Sequence, residues 1–235
     1  MPSDGEETAM TGWTRAALLA LAMGAAPGPA PAQGAMTGAA ETYELLFRGG
    51  TLDALPRAEP LVYDRAVESR LAPEAAARET GTLRLGFEGG TPEMVGLRFE
   101  QGERFRGVGR FPASVGNPVV MYFVETVARD MAEAAGGSPF YIRNRIKDAL
   151  VAPAAMEQAT TAWDGAEVAA TTVTLTPFAG DPNAARMQGF DALELRVTMS
   201  DAVPGWYRRL EAVVPGPDGE AGPVYSSVIE LEAGE

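Results

Sequence analysis

The sequence predicts an α+β protein in which antiparallel strands form a sheet and one pair of helices is inserted between them. Three observations lead to this prediction. Several short segments alternate apolar and polar residues with the period of two that is typical of half-buried strands. Residues 117–152 instead carry apolar residues three or four positions apart, as amphipathic helices do. The turns between the last strands are too short for parallel pairing.

The first predicted strand covers residues 42–48 (TYELLFR), in which apolar side chains alternate with polar ones before two glycines. The same alternation at 82–88 predicts a second strand. Between them, the alanine-rich residues 72–79 predict a short helix.

Residues 95–99 and 105–109 predict a β-hairpin, and the faces of its two strands select a register. A three-residue loop at 101–103 places Phe99 opposite Phe105 and keeps one face apolar. The glycines of the second strand predict a bend in the sheet. In this register the other face carries three arginines, Arg98, Arg104 and Arg106.

The helix hairpin is predicted at about 117–152. Its first helix begins with a capping asparagine and a proline, Asn117-Pro118, and ends at Gly136-Gly137. Its second helix begins at Ser138-Pro139 and ends before Pro153. The first helix is acidic and the second basic on the outer face, which favours their packing together. The apolar positions are Val120, Phe123, Val124, Val127 and Met131, then Ile142, Ile146 and Leu150.

Four more strands are predicted after Trp163, at 171–178, 193–199, 206–214 and 225–231. Turns rich in proline and glycine separate the last three, so these strands are expected to pair antiparallel.

The N-terminal residues 1–32 have the plan of a signal peptide. Arg15 is followed by an uncharged run at 16–26, then by helix-breaking residues and Ala30-Pro31-Ala32. This run is shorter than the roughly 20 residues that cross a bilayer. An acidic start fits a signal peptide poorly, and initiation at Met10 would restore a positive end. We therefore expect export to the periplasm, a flexible segment at 33–40, and one α+β domain at 41–235.

The composition excludes several kinds of chemistry. Histidine and cysteine are both absent, which removes serine–histidine triads, cysteine nucleophiles, the usual zinc sites and lipid attachment to an N-terminal cysteine. The formal net charge of −13 repels nucleic acids. The sequence therefore predicts no catalytic residue of those kinds, no metal, no cofactor and no nucleic-acid partner.

Two sets of residues are candidates for binding. Large rings at helix starts and hairpin mouths, together with an apolar helix face, can line a cleft for an apolar ligand. More commonly such side chains lie in the core or at its rim. Clustered cations can bind an anion or an acidic partner, although a solvated strand face paired with its own acids is the commoner arrangement. The first set is Phe123, Val127, Met131, Phe140, Tyr141, Trp206 and Tyr207; the second is Arg98, Arg104, Arg106, Arg143, Arg145 and Lys147.

The order GTLRLGFEGG, helix pair and LELRVTMSDAVPGWYRRLEAVVPGPDGEAGPVYSSVIELE resembles uncharacterised secreted proteins of alphaproteobacteria. More distantly, residues 41–232 are similar in outline to the half-barrels that carry lipoproteins or lipids through the periplasm. The resemblance implies a curved antiparallel sheet around helices, with an apolar cavity that the helix hairpin fills or gates. The absence of cysteine differs from lipid-anchored members, and no binding residue of those families matches here.

These observations support three hypotheses of function. The first is a soluble periplasmic protein that binds an apolar or amphipathic ligand without catalysis. The second is an envelope protein that binds an acidic protein partner through its arginines. The third is a hydrolase that uses a pair of carboxylates.

Overall fold

The computed structural model describes residues 35–217 and 222–233. Ten strands form one open antiparallel sheet, and four α-helices accompany it, which confirms the predicted α+β class with a curved sheet. The predicted signal peptide, 1–32, lies outside the described residues.

The strands follow the order β1-β6-β7-β8-β9-β10-β2-β3-β4-β5 across the sheet, so β1 and β5 form its edges. The helices are α1 (Ala39–Leu46), α2 (Pro73–Glu79), α3 (Val119–Ala135) and α4 (Pro139–Leu150). The strands are β1 (Ala35–Met36), β2 (Leu61–Ser69), β3 (Gly81–Gly89), β4 (Met94–Gln101), β5 (Arg104–Pro112), β6 (Ala155–Trp163), β7 (Ala166–Leu175), β8 (Glu194–Met199), β9 (Tyr207–Val214) and β10 (Tyr225–Leu231).

The predicted strand at 42–48 is wrong, because these residues lie mainly in α1. Thr42 and Leu46, four residues apart, are both buried, and the rings of Tyr43 and Phe47 pack with their centroids 4.9 Å apart. Contacts at this spacing are those of a helix. Ahead of α1, where no regular structure was predicted, Ala35 and Met36 pair with β6.

Strand β2 was not predicted, although it lies near the middle of the sheet between β10 and β3. Its inward side chains are Tyr63, Arg65 and Val67, all buried. An arginine at the central inward position breaks the apolar alternation by which a strand is recognised. Strand β6 was also missed, and its side chains are mostly exposed.

The β4–β5 hairpin exists, but its predicted three-residue loop is wrong. Gln101 pairs with Arg104 across a two-residue loop, and Phe99 lies opposite Arg106. Gly102 has φ +59°, at the first loop position, where a type II′ turn takes glycine. A register shift opposite Leu97 adds one residue to β5. Because Phe99 pairs with Arg106, Arg98 points to the opposite face of the sheet from Arg104 and Arg106. The predicted face shared by all three arginines therefore does not exist.

The helix hairpin is confirmed. Helix α3 begins at Val119, whose amide donates a hydrogen bond to Asn117 Oδ1 at 3.1 Å. It ends at Ala135, and the capping residue Gly136 has φ +76°. All eight predicted apolar positions of the two helices are buried, and Arg143 of α4 pairs with Glu125 of α3 at 2.7 Å. This ion pair joins the acidic helix to the basic one, as the sequence predicts.

The helices cover one face of the sheet, and the hydrophobic core lies between the helices and that face. Helix α3 lies against β2 and β10, since Asp130 contacts both Arg65 and Tyr225. The opposite face carries ion pairs between neighbouring strands, such as Arg84–Glu100 and Arg196–Glu211. No helix among residues 35–217 and 222–233 has the length and apolarity needed to cross a membrane.

Candidate functional site

A groove of about 530 Å³ lies between α1, the end of β5 and the α3–α4 hairpin. We call it the apolar groove. Side chains of Tyr43, Phe111, Val115, Met121 and Val151 line it, and the buried Tyr207 lies at its base. Its size and lining are those of small-molecule sites, which are mostly apolar clefts of 300–1,000 Å³.

The apolar groove concentrates hydrophobic side chains that remain in water. Tyr43 is 50% exposed, Val115 69%, Met121 39% and Val151 53%. Exposed apolar residues scattered singly need no explanation, but a contiguous group marks a binding surface. These four residues come from four different segments, so the fold itself brings them together.

The charged residues that line the apolar groove are both cations, Arg48 and Lys147. Arg48 pairs with Asp201 at 2.6 Å, and its guanidinium lies 4.3 Å from the centre of the Trp206 ring. Within the described part of the chain, the side chain of Lys147 has neither an ion-pair nor a hydrogen-bond partner. The groove therefore offers an apolar wall and one unneutralised positive charge.

A second unusual feature is a buried cluster of charges between β2, α2 and α3, which we call the arginine cluster. The Arg65 side chain is fully buried. Its Nη1 donates to Glu79 Oε2 at 2.5 Å and to the Tyr122 hydroxyl at 3.1 Å, and its Nη2 reaches Asp130 Oδ2 at 3.4 Å. The buried Nε has no protein partner in the described residues.

Glu79 is the acceptor on which the arginine cluster converges. Arg106 and Arg129 also reach Glu79 Oε2, each at 2.8 Å. Burial alone would raise the pKa of Glu79, but the hydrogen bond and charge of Arg65, followed by the charges of Arg129 and Arg106, outweigh it and lower that pKa. Glu79 is therefore held as a carboxylate.

Asp130 behaves in the opposite way. Burial raises its pKa by more than the charge of Arg65 and the hydrogen bond from Tyr225 lower it. The pKa of the buried Tyr225 is raised well above its usual value, first by burial and then by the charge of Asp130. Three arginines thus face two carboxylates, so the cluster carries excess positive charge.

The residues predicted to bind a ligand do not form one cleft. Phe123, Val127 and Met131 are buried in the core. Phe140 is 73% exposed at the start of α4. The Tyr141 hydroxyl donates to Asp181 Oδ2 at 2.6 Å and so fixes the turn after β7.

Trp206 and Tyr207 have a structural role that the sequence did not suggest. Trp206 Nε1 donates to the Leu45 carbonyl at 3.0 Å, and the Tyr207 hydroxyl donates to the Leu46 carbonyl at 2.6 Å. Carbonyls in the last turn of a helix have no partner within the helix. The two rings therefore anchor the end of α1, which forms one wall of the apolar groove.

The predicted cations are divided among separate sites. Arg98 pairs with Glu100 at 2.6 Å on the outer face of the sheet, and Arg145 pairs with Asp181 at 3.0 Å. Arg106 joins the arginine cluster, and Lys147 lines the apolar groove. Arg104 is exposed, and Arg143 lies beside Arg106 and Arg129 in a further cleft.

Among the described residues, Asp64 of β2 and Glu232 after β10 form an interacting pair of carboxylates. Partial burial, followed by the hydrogen bond and charge of Asp64, raises the pKa of Glu232. Glu232 lines a cleft of about 820 Å³ that also contains Arg84 and Trp163. This is the pair to which the hypothesis of a carboxylate-dependent hydrolase would apply.

Sequence reasoning missed most of the apolar groove. Tyr43 was assigned to a strand, and Val115 lies in a connection. Met121 carried a usable signal, because it is a large apolar residue on the otherwise polar side of α3. Arg65 gave no signal, because its burial depends on partners from α2 and α3 that are distant in sequence.

A comparison of the chain with known protein families finds no match, and a comparison with curated proteins finds none.

Proposed function

We propose that this protein is a soluble, periplasmic binding protein, without catalytic activity, for an amphipathic molecule with an apolar tail and an anionic head. The ligand would occupy the apolar groove. The observation that carries this proposal is the lining of the groove, in which exposed apolar side chains surround the unpaired Lys147 and no acidic residue takes part.

Charge supports an anionic ligand over a neutral or cationic one. The chain has a formal net charge of −13, so a groove whose charged lining residues are both cations contrasts with the charge of the whole chain. Arg48 is neutralised by Asp201, which leaves Lys147 to attract the head group. A partly exposed charge pair of this kind contributes up to about 1 kcal/mol, which is roughly fivefold in affinity.

The signal-peptide plan of residues 13–32 supports the periplasmic location. The first experiment is expression of the full chain in a Gram-negative host and purification from the periplasm without detergent. We expect a mass that begins at Gln33, and a native mass that exceeds the denatured mass by a bound ligand. An uncleaved chain in the cytoplasm would contradict the location.

Titration of the purified, delipidated protein with laurate tests the ligand class, and dodecyl maltoside serves as a neutral probe with the same tail length. We expect saturable binding of laurate that is several-fold tighter than binding of the maltoside. Absence of saturable laurate binding would overturn the proposal, whatever the native mass shows.

Two variant pairs locate the site. Met121→Glu should abolish laurate binding, whereas Leu71→Glu, at a position with the same 39% exposure outside the groove, should not change it. Lys147→Glu should weaken laurate binding about tenfold or more and leave dodecyl maltoside unaffected. Arg104→Glu makes the same charge change on a different exposed cation and is the matched control.

A second candidate function is capture of an acidic protein segment by β5, and the observation that favours it is the character of this edge strand. Residues 104–112 contain three arginines and no acid, and Phe105 is 73% exposed. Extended segments bind by adding a strand to such an edge. A complex that dissociates with salt and is lost in Phe105→Glu, but not in Met121→Glu, would select this function.

A further inference from the structure

A cleft of about 430 Å³ lies between β5 and the α3–α4 hairpin, beside the arginine cluster. Three arginines line it: Arg106 from β5, Arg129 from α3 and Arg143 from α4. Glu125, also at the cleft, is paired with Arg143. This cleft is separate from the apolar groove, with which it shares no lining residue.

The lining arginines use few of their hydrogen-bond donors. Arg106 and Arg129 each contact Glu79 through Nη2, and Arg143 contacts Glu125 through Nε. An arginine has five N–H donors in a planar fork that matches an oxyanion. Most of these donors therefore remain available to a molecule in the cleft.

The three side chains are held in place by their own acids. Glu79 fixes both Arg106 and Arg129 at 2.8 Å, and the Arg106 guanidinium also lies 4.9 Å from the centre of the Phe99 ring. Glu125 holds Arg143 through both carboxylate oxygens, at 3.0 and 2.7 Å. Arginines positioned in this way lose less conformational entropy when they bind.

The local charge favours an anion. Around the cleft, Arg65, Arg106, Arg129 and Arg143 face Glu79, Asp130 and Glu125, so the arginines outnumber the carboxylates by one. The buried Arg65 behind Tyr122 adds positive potential that water screens only weakly.

We propose that this cleft is a binding site for an oxyanion group, a phosphate or sulfate, held by Arg106, Arg129 and Arg143. Val108, Ala132 and Pro139 provide an apolar wall next to the arginines. The site therefore accepts either a free inorganic anion or the anionic end of a small organic phosphate. Glu79 and Glu125 act as positioning residues, because their ion pairs hold the three arginines in place.

Calorimetric titration at low ionic strength tests the site with two probes, inorganic phosphate and phenyl phosphate. Saturable binding of inorganic phosphate supports a site for a free anion, and binding of phenyl phosphate alone supports an organic ligand. Absence of binding by both probes overturns the proposal.

Variants assign the binding to the cleft. Arg129→Gln should weaken binding of the effective probe about tenfold, because a charge-assisted hydrogen bond is lost. Arg98→Gln is the matched control, since Arg98 also pairs with one glutamate but lies on the outer face of the sheet. Equal effects of the two substitutions would contradict the assignment. Thermal unfolding of each variant checks the fold, and Arg143→Gln is a second test that leaves the arginine cluster intact.

The two proposed sites can be tested independently of each other. Lys147→Glu should leave phosphate binding unchanged, and Arg129→Gln should leave laurate binding unchanged. Loss of phosphate binding in Lys147→Glu would place the anion in the apolar groove and overturn the separate site.

Discussion

Arg65 is the residue whose position is hardest to explain by packing alone. A buried arginine must recover a large desolvation penalty through its partners, and such networks often stabilise less than an apolar replacement would. Here Glu79, Asp130 and Tyr122 together satisfy both terminal nitrogens. Removal of one member leaves an uncompensated buried charge, so the partners are energetically coupled.

We expect Arg65→Met to lower the free energy of unfolding by about 3 kcal/mol, because Asp130 loses its closest cation. The double variant Arg65→Met/Asp130→Leu should recover most of that loss, since no buried charge then lacks a partner. Urea unfolding followed by tryptophan fluorescence measures both. The single variant Asp130→Leu completes the cycle, and a double variant that loses the sum of the two single effects would show that the pair is not coupled.

Glu79 should make the protein sensitive to acid. Its pKa is lowered in the folded state, so it contributes stability above its unfolded pKa of about 4.3, and this contribution disappears as the pH falls through the lower folded value. Asp130 has the opposite sign, because its pKa is raised on folding. Its contribution to stability therefore grows as the pH falls through the raised folded pKa toward the unfolded value of about 3.9.

Glu79→Gln should accordingly be less stable than the wild type at pH 7 and should lose less stability between about pH 5 and pH 3. Urea midpoints measured across this range test the prediction. Glu74→Gln changes the same residue type in the first turn of the same helix and should keep the wild-type profile. An unchanged profile in Glu79→Gln would mean that its ion pairs do not matter for acid stability.

At the scale of elements, the tight link between α3 and α4 fixes the geometry of both proposed sites. Helix α3 contributes Met121 to one site and Arg129 to the other, and α4 contributes Lys147 and Arg143. The link depends on Gly136, whose φ of +76° and ψ of −166° lie in a region that is almost restricted to glycine.

We expect Gly136→Ala to destabilise the protein by about 2 kcal/mol through backbone strain alone, because no atom lies within 4 Å of an added Cβ. Gly107→Ala is the control, since its Cβ also meets no atom within 4 Å and its φ is not positive. The control should change stability by less than about 0.5 kcal/mol. Thermal unfolding measures both, and equal losses would contradict the strain argument.

The elements also show how far the sequence could be interpreted. The helix hairpin and the strands β8 and β10 were predictable, because their periodicity is regular and turn residues bound them. Helix α1 was not predictable, because residues 42–48 (TYELLFR) fit both the period of two of a strand and the four-residue spacing of a helix. In β2 an inward arginine hides the strand. The hairpin register followed a two-residue loop, and a bulge at Val108 shifts the pairing from Leu97 onward, which face matching does not foresee.

The site was less predictable than the fold. Of the residues proposed from sequence for ligand binding, Tyr207 lies at the base of the apolar groove, while Phe123 and Val127 lie in the core. Lys147 was recognised as a possible contact for an anion, but its apolar neighbours come from α1 and from the connection before α3. A surface assembled from several segments has no local pattern in the sequence.

For the whole molecule, the contrast between global and local charge matters most. A net charge of −13 repels anions at long range, yet the charges that line the apolar groove are positive and those of the arginine-lined cleft are positive on balance. Binding should therefore depend on contacts inside these clefts, where screening is weaker, and should not depend on steering by the overall field.

Because the two clefts are distinct, their ligands should stabilise the protein additively. Met121 and Arg129 lie eight residues apart on α3, which is about 12 Å along the helix. Two bound anions at that distance repel by about 0.3 kcal/mol in water, and salt at physiological strength screens most of this energy. Each ligand at 100 times its dissociation constant contributes about 2.7 kcal/mol by mass action.

We therefore expect laurate and the effective phosphate probe, added together, to raise the free energy of unfolding by the sum of their separate effects, within about 0.5 kcal/mol. Urea unfolding at fixed ligand concentrations measures the increase in the free energy of unfolding for each ligand alone and for both together. If the combined effect equals only the larger single effect, the two anions compete for one site. A combined effect well above the sum would instead show positive coupling, which α3 would transmit between the clefts, since it lines both.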